Sequence, residues 1–397
     1  MKTIFRISLI VSALALPLCS CSDFLEKEPL SQGTEAIVFK TPEHFEQAAN
    51  ALYNMNGWRN LNGKGFEGSA VDQNTDINGL TSNGGGTVQE SDWHWDKPYS
   101  HIRTCNILLA KANEYDGNQE DIAQSVGTAY FFRAWQHFYL LQYFGGIPIV
   151  DHVLDVSDPV LFGVRNSRYE VIDFIASDLR LAIPLLPKEK DIPESDKGKV
   201  SKEAAKAFLA RVLLYEGTWE KYVPSINYDL DGDGKNDGAG SVKPDNYPSI
   251  TDMLTEAKQM AKEVIEEAQT GTFALWEECD TLSYYYLFNI DDKGGNISNF
   301  RNAGKSSNKE FIFYKKYDYD LARGGINLVH SVLNGYVTNM SAQFGESFLC
   351  RNGLPIRISY TGNIADAQDN PQFLGYKTFV GEFRNRDYRF IGCCNSI

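Results

Sequence analysis

Residues 119–143 constrain this chain more than any other stretch. Ile122, Val126, Tyr130, Ala134, Phe138 and Leu141 recur at helical spacing and make one apolar stripe. Phe131, Phe132, Trp135, Tyr139 and Leu140 cover the remaining sides. A helix that is apolar nearly all round has to be enclosed by other elements. Gly145-Gly146 stops it and Pro148 prevents its continuation. The fold is therefore expected to be mainly α-helical, built around this segment.

Other helices announce themselves around it. Thr41-Pro42-Glu43 supplies an N-cap, a proline at the first helical position and an acid in the first turn; Phe45, Ala48, Ala49, Leu52 and Tyr53 follow on one face. A helix is expected from Tyr99 to Ala112. Ser167-Arg168-Tyr169-Glu170 reads as a capping box for a helix ended by Pro184. Ser201 caps a helix whose face carries Ala204, Ala205, Phe208, Leu209, Val212 and Leu213. A further helix spans about 251–269 and closes at Gly271. Alanine-rich contact faces suit paired helices of the tetratricopeptide type, although no clean 34-residue period is present. Residues 57–92 are rich in Gly, Asn, Asp and Ser and are expected to be long loops. Past residue 270 the pattern weakens, and EFIFYKKYDYD (310–320) alternates like a short strand.

The N-terminus reads as an export signal. Lys2 and Arg6 precede an uncharged run, Ile7–Leu18, of 12 residues. That is well short of the roughly 20 residues needed to span a bilayer. The run ends Leu18-Cys19-Ser20-Cys21. This resembles a bacterial lipobox, in which a small residue precedes the cysteine that is acylated. Ser20 makes Cys21 the expected lipidation site, and Cys19 leaves with the signal. No histidine or further cysteine nearby supports a metal pair. The net charge is −14, which disfavours nucleic-acid partners.

The candidate site residues follow from residue type. Trp93, Trp95 and Tyr99 stand where the Gly- and Asn-rich stretch returns to helix; flat apolar faces stack on sugar rings, and Asp72, Asn74 and Asp76 offer hydroxyl partners. Trp276 and Tyr284-Tyr285-Tyr286 form a second group. Three adjacent tyrosines cannot share one face of a regular element, so one is expected to meet solvent or ligand. Each aromatic is also a candidate for plain core packing. Asp229, Asp231, Asp233, Lys235 and Asp237 take positions 1, 3, 5, 7 and 9 of a calcium loop, with Gly234 at the turn. Gly240 stands where an EF-hand has its bidentate glutamate, so a structural Ca2+ competes with a plain acidic turn. Glu277, Glu278 and Asp280 give no carboxylate pair at a defined separation. His137, on the apolar helix, is expected to be a hydrogen-bonded core residue.

Several segments together resemble the SusD/RagB family, surface glycan-binding lipoproteins of Bacteroidetes. They are CSDFLEKEP after the lipobox, RAWQHFYLLQYFGGIPIV (133–150), VSKEAAKAFLARVLLYEG, FLCRNGLPI and RNRDYRF (384–390). The resemblance implies a signal peptide at 1–20 and a SusD-like domain at 21–397, helical over 21–270 and loop-rich over 271–397. It implies further helices beyond Phe390, where this sequence ends within seven residues, so the second part is expected to be incomplete. It also implies capture of an oligosaccharide without catalysis. The protein would be held at the outer membrane by its lipid anchor and partnered by a SusC-type TonB-dependent transporter. A secreted carbohydrate-active enzyme of helical fold, a carrier of peptides or other nutrients and a helical scaffold are the competing readings.

Overall fold

The computed structural model describes residues 39–53, 92–223, 243–289, 308–314, 341–359, 368–377 and 380–393. Cys21, the stretch from Asp72 to Asp76 and the acidic loop from Asp229 to Asp237 lie outside the described residues.

The helices are α1 (Pro42–Ala51), α2 (Trp93–Asn113), α3 (Gln119–Phe144), α4 (Arg168–Leu185), α5 (Lys202–Tyr222) and α6 (Ile250–Ala268). Shorter ones follow: α7 (Ser283–Asn289), α8 (Ala342–Ser347) and α9 (Tyr388–Cys393). A two-stranded antiparallel ribbon, β1 (Arg357–Ser359) with β2 (Gln368–Asp369), pairs Arg357 with Asp369. The fold is thus mainly helical.

Helices adjacent in sequence pack on one another from α2 through to α6, and α1 lies against α3. This is the arrangement of tetratricopeptide-type pairs. α3 is the central member, with Ile122, Phe131, Phe132, Ala134, Leu140 and Leu141 essentially inaccessible to water. Its aromatic rows interdigitate with neighbours: Phe131 meets Phe208 of α5 at 5.5 Å, and Phe138 meets it edge-on at 5.6 Å. The capping box at Ser167 is present, its Oγ accepting from the Glu170 N–H while the Glu170 carboxylate accepts from the Ser167 N–H at 2.8 Å. His137 is fully buried. The Val150 N–H donates to its Nε2, so its Nδ1–H donates to the Arg133 carbonyl at 2.8 Å. Burial pushes its pKa down to about 3, so the ring stays neutral.

Three expectations need correction. α2 begins at Trp93, not Tyr99. The Asp92 carboxylate caps it by accepting from the His94 N–H at 2.8 Å, and Pro98 is absorbed inside the helix with the loss of one backbone bond. Pro184 does not end α4 but sits in its last turn. Residues 310–314 form no strand. The carboxylate of Glu310 takes up the Trp276 N–H, Lys309 Nζ bonds the Gly271 carbonyl, and Ile312 and Phe313 drop onto the helical core. Side chains satisfy that segment where a ladder would otherwise run.

Two late sequence signatures meet each other. The Asp387 N–H donates to the Leu349 carbonyl and the Arg351 N–H to the Asn385 carbonyl, each at 2.9 Å. Arg386, 2 % exposed, lies under this bridge. Its Nη2 donates to the carbonyls of Gly345 and Phe348, and its guanidinium lies 4.7 Å from the Phe390 ring centroid.

Candidate glycan site

α2 and α3 pack side by side, so the first turn of α2 meets the last turns of α3. His94 Nδ1 is 2.7 Å from the Tyr139 hydroxyl, and its ring stacks on Tyr143 at 4.5 Å and 28°. Tyr139 and Tyr143 are one helical turn apart and lie 4.7 Å from each other. Trp95 stands edge-on to Phe144 at 5.0 Å and 84°, and 5.1 Å from Tyr99. Tyr99 donates its hydroxyl proton to the Pro148 carbonyl at 2.8 Å. The Arg165 guanidinium lies over the Trp95 ring, 5.4 Å from its centroid.

This group spans the boundary between core and solvent. Trp95 and Tyr99 pack against the main core while remaining partly exposed. Tyr143 is 43 % exposed. Burial lowers the His94 pKa, with Asp92 opposing, and burial raises those of Tyr99 and Tyr139. The ring nitrogens of His94 and the hydroxyls are thus neutral near pH 7. A neutral, rigid aromatic surface with polar edges is suited to the apolar face and hydroxyl rim of a sugar ring.

Trp95 and Tyr99 are brought together on one helix, α2, whose first turn follows directly on the Gly- and Asn-rich stretch. Trp93 opens the same helix. Trp276 belongs to a separate small cluster with Leu287, Tyr286 and Cys279, where it is only 5 % exposed. Tyr284 and Tyr285 are exposed at its edge, which meets the expectation that one of the three tyrosines faces solvent. His94, Tyr139, Tyr143, Phe144 and Arg165 were not legible as site residues. The spacing of Tyr139 and Tyr143 by four residues was the available signal, hidden inside a helix that is aromatic on every side.

No helix of the described residues is long and apolar enough to cross a membrane. No group of three or more His, Cys, Asp or Glu among the described residues could hold a metal ion. Cys105 and Cys350 are buried free thiols, and burial pushes that of Cys105 up to about 12.

Comparison with known proteins bears on the same elements. Residues 23–214 match the model of the SusD-like_3 family, described as starch-binding and associating with the outer membrane. A SusD-like protein of Bacteroides ovatus is 25 % identical over 301 residues, covering 72 % of this chain and 54 % of the relative. SusD-like protein P2 of Formosa agariphila is 25 % identical over 59 % of this chain and 47 % of its own length. The chain thus spans about half the length of these curated relatives. Among solved structures, a SusD-like carbohydrate-binding protein of Bacteroides fragilis superposes with a TM-score of 0.56 at 18 % identity, over 89 % of this chain and 60 % of that one. A second SusD-like protein of the same species gives 0.56 at 18 % identity, over 92 % and 62 %. At that identity the likeness speaks for the fold. The match over residues 23–214, the curated relatives and the shared fold agree: the chain is similar to SusD-like proteins and has their fold.

Proposed function

We propose that this protein is a surface lipoprotein that captures oligosaccharides without cleaving them and passes them to a SusC-type TonB-dependent transporter. One observation carries the reading: a rigid, half-exposed aromatic group, Trp95 with Tyr143 and His94, sits at the paired ends of α2 and α3 in a chain of SusD-like fold. The family description, starch-binding and associating with the outer membrane, supports the same reading. Trp93 and Tyr99, with Asp72, Asn74 and Asp76 of the stretch before α2, complete the proposed contact set, and the exposed Tyr285 is a second, separate contact beside the buried Trp276.

Affinity electrophoresis against a panel of soluble glycans tests it. At least one glycan should retard the protein, and Trp95→Ala should abolish most of that retardation. Release of shorter sugars from a retained glycan would overturn the non-catalytic reading. Cys21 is proposed as the acylated residue, so Cys21→Ser should move the protein from the membrane fraction to the soluble one. Co-purification of a large outer-membrane β-barrel with the tagged, lipidated chain is expected; its absence under mild detergent counts against the transporter.

Calcium at Asp229, Asp231, Asp233, Lys235 and Asp237 is proposed as a structural ion that locks a loop. Chelation with EDTA should then lower the melting temperature, and Ca2+ but not Mg2+ should restore it. An unchanged melting temperature would remove calcium from the description.

A further inference from the structure

Arg165 ends the connector between α3 and α4, and its side chain is exposed. Other arginines in this acidic chain sit against carboxylates: Arg133 with Asp178, Arg168 with Glu216, Arg180 with Glu256 and Arg389 with Asp387. Acids outnumber bases by 52 to 38, so carboxylate partners are plentiful for an arginine here. Among the described residues Arg165 has none within ion-pair distance, and its guanidinium rests over Trp95 instead.

Both partners are fixed in place. The Asn166 N–H donates to the Ile147 carbonyl at 3.1 Å, and the Asn166 side-chain carbonyl accepts from the Ile149 N–H at 3.0 Å. The next residue is the buried cap of α4. Trp95 is wedged between Phe144 and Tyr99. A cation is thus held at the edge of the aromatic surface, with its fork of N–H donors uncommitted to any carboxylate among the described residues.

We infer that Arg165 and Trp95 form a subsite for an anionic sugar residue, carboxylated or sulfated. Its ring packs on the indole and its acid group pairs with the guanidinium. The inference rests on the glycan-binding reading and names its substrate class. The chemistry is an exchange. A carboxylate or sulfate offers the guanidinium parallel charge-assisted N–H···O bonds, which an aromatic face does not. Drawn to the acid, the guanidinium leaves the indole free for the sugar's C–H face. A neutral sugar meets an indole still covered and has only hydroxyls to offer in return. The net charge of −14 opposes anionic ligands at long range. Salt screens that repulsion beyond about 8–10 Å, and the local contact governs affinity.

Isothermal titration of the full chain tests this with oligogalacturonate, alginate and chondroitin sulfate oligosaccharides. Each is paired with its carboxyl-reduced or desulfated counterpart, which separates carboxylate from sulfate recognition. At least one acidic member should bind about 10-fold or more tightly than its neutralised partner. Arg165→Gln should erase that preference by weakening the acidic member and uncovering the indole for the neutral one, whereas Trp95→Ala should weaken both. Equal binding of every pair, or a preference that survives Arg165→Gln, overturns the subsite while leaving glycan binding intact. No binding to these pairs or to any neutral glycan of the electrophoresis panel overturns both readings. Arg165 is exposed, so an unchanged melting temperature for Arg165→Gln is expected and checks that the variant folds.

Discussion

Arg133 of α3 grips Asp178 of α4 through two parallel hydrogen bonds, Nε to Oδ2 and Nη2 to Oδ1, each 2.7 Å long. Its remaining Nη1 donates to the Asn106 side-chain carbonyl at 2.9 Å and to the Asp151 main-chain carbonyl at 2.8 Å. One guanidinium therefore ties α2, α3, α4 and the connector after α3, at the end of the bundle next to the candidate site. The side chains are 7 % and 2 % exposed, so neither charge can turn to water if its partner is lost.

Arg133→Met should accordingly cost about 3–5 kcal/mol, mostly because Asp178 is left buried without compensation. Urea denaturation measures it. Arg133→Met with Asp178→Leu should lose less than the single variant. An equal or larger loss would show that the pair itself, not the orphaned carboxylate, holds the helices.

His152 predicts a pH dependence. Its Nδ1 lies 2.6 Å from Asp151 Oδ1 and its Nε2 2.7 Å from Asp158 Oδ2. Only the imidazolium can donate on both sides. Those hydrogen bonds, the one to Asp151 first, raise the pKa of His152 above its ordinary 6.5. The stabilisation is thus fully present below pH 6.5 and lost as pH rises through the folded value. Asp158 is shifted the other way, first by the Val160 N–H and then by His152. Its share is present above its ordinary 3.8 and fades as pH falls through the lowered value. The melting-temperature gap between the wild type and His152→Asn should therefore be widest below pH 6.5 and narrow as pH rises through the raised folded value. A gap that does not vary with pH would contradict the clamp.

Two glycines separate close approach from spare room. A Cβ on Gly127 of α3 would lie 3.0 Å from Leu185 Cβ and from Leu186 Cγ. Leu185 Cβ is fixed by the backbone and cannot retreat. A Cβ on Gly217 of α5 would meet the outer atoms of Leu254 at 3.0–3.1 Å, and that side chain can swing away. Helix propensity favours alanine by about 1 kcal/mol in both places, against roughly 1–3 kcal/mol for overpacking. Gly127→Ala should be destabilising by about 1 kcal/mol, and Gly217→Ala close to neutral. Equal effects in chemical denaturation would remove the distinction.

Tyr143 tests the site apart from the fold. At 43 % exposure it contributes little core, yet it carries the stacked face of His94. Tyr143→Ala should lower affinity for a bound glycan about 10-fold, the worth of one lost stacking contact of about 1.4 kcal/mol. The melting temperature should move by only a few degrees. Full affinity in titration calorimetry would exclude Tyr143 from the contact surface.

The sequence by itself determined the helices. Their signals are local: the apolar periodicity of residues 119–143, the Ser167–Glu170 capping box, the Ser201 cap and Gly271 after α6 are all set by neighbours within a turn or two. Pro184 misled because a proline forbids one backbone bond, and the last turn of a helix absorbs that loss. The Trp95–Tyr99 half of the candidate site was legible for the same local reason. Only the tertiary structure decided what stands opposite: His94 against Tyr139 and Tyr143, Arg165 over Trp95, Arg133 onto Asp178, Trp276 folded under Leu287. Those partners lie far apart along the chain, and which side chains meet depends on how helix ridges seat in one another's grooves. That seating is a property of the packed bundle, and no window of sequence contains it.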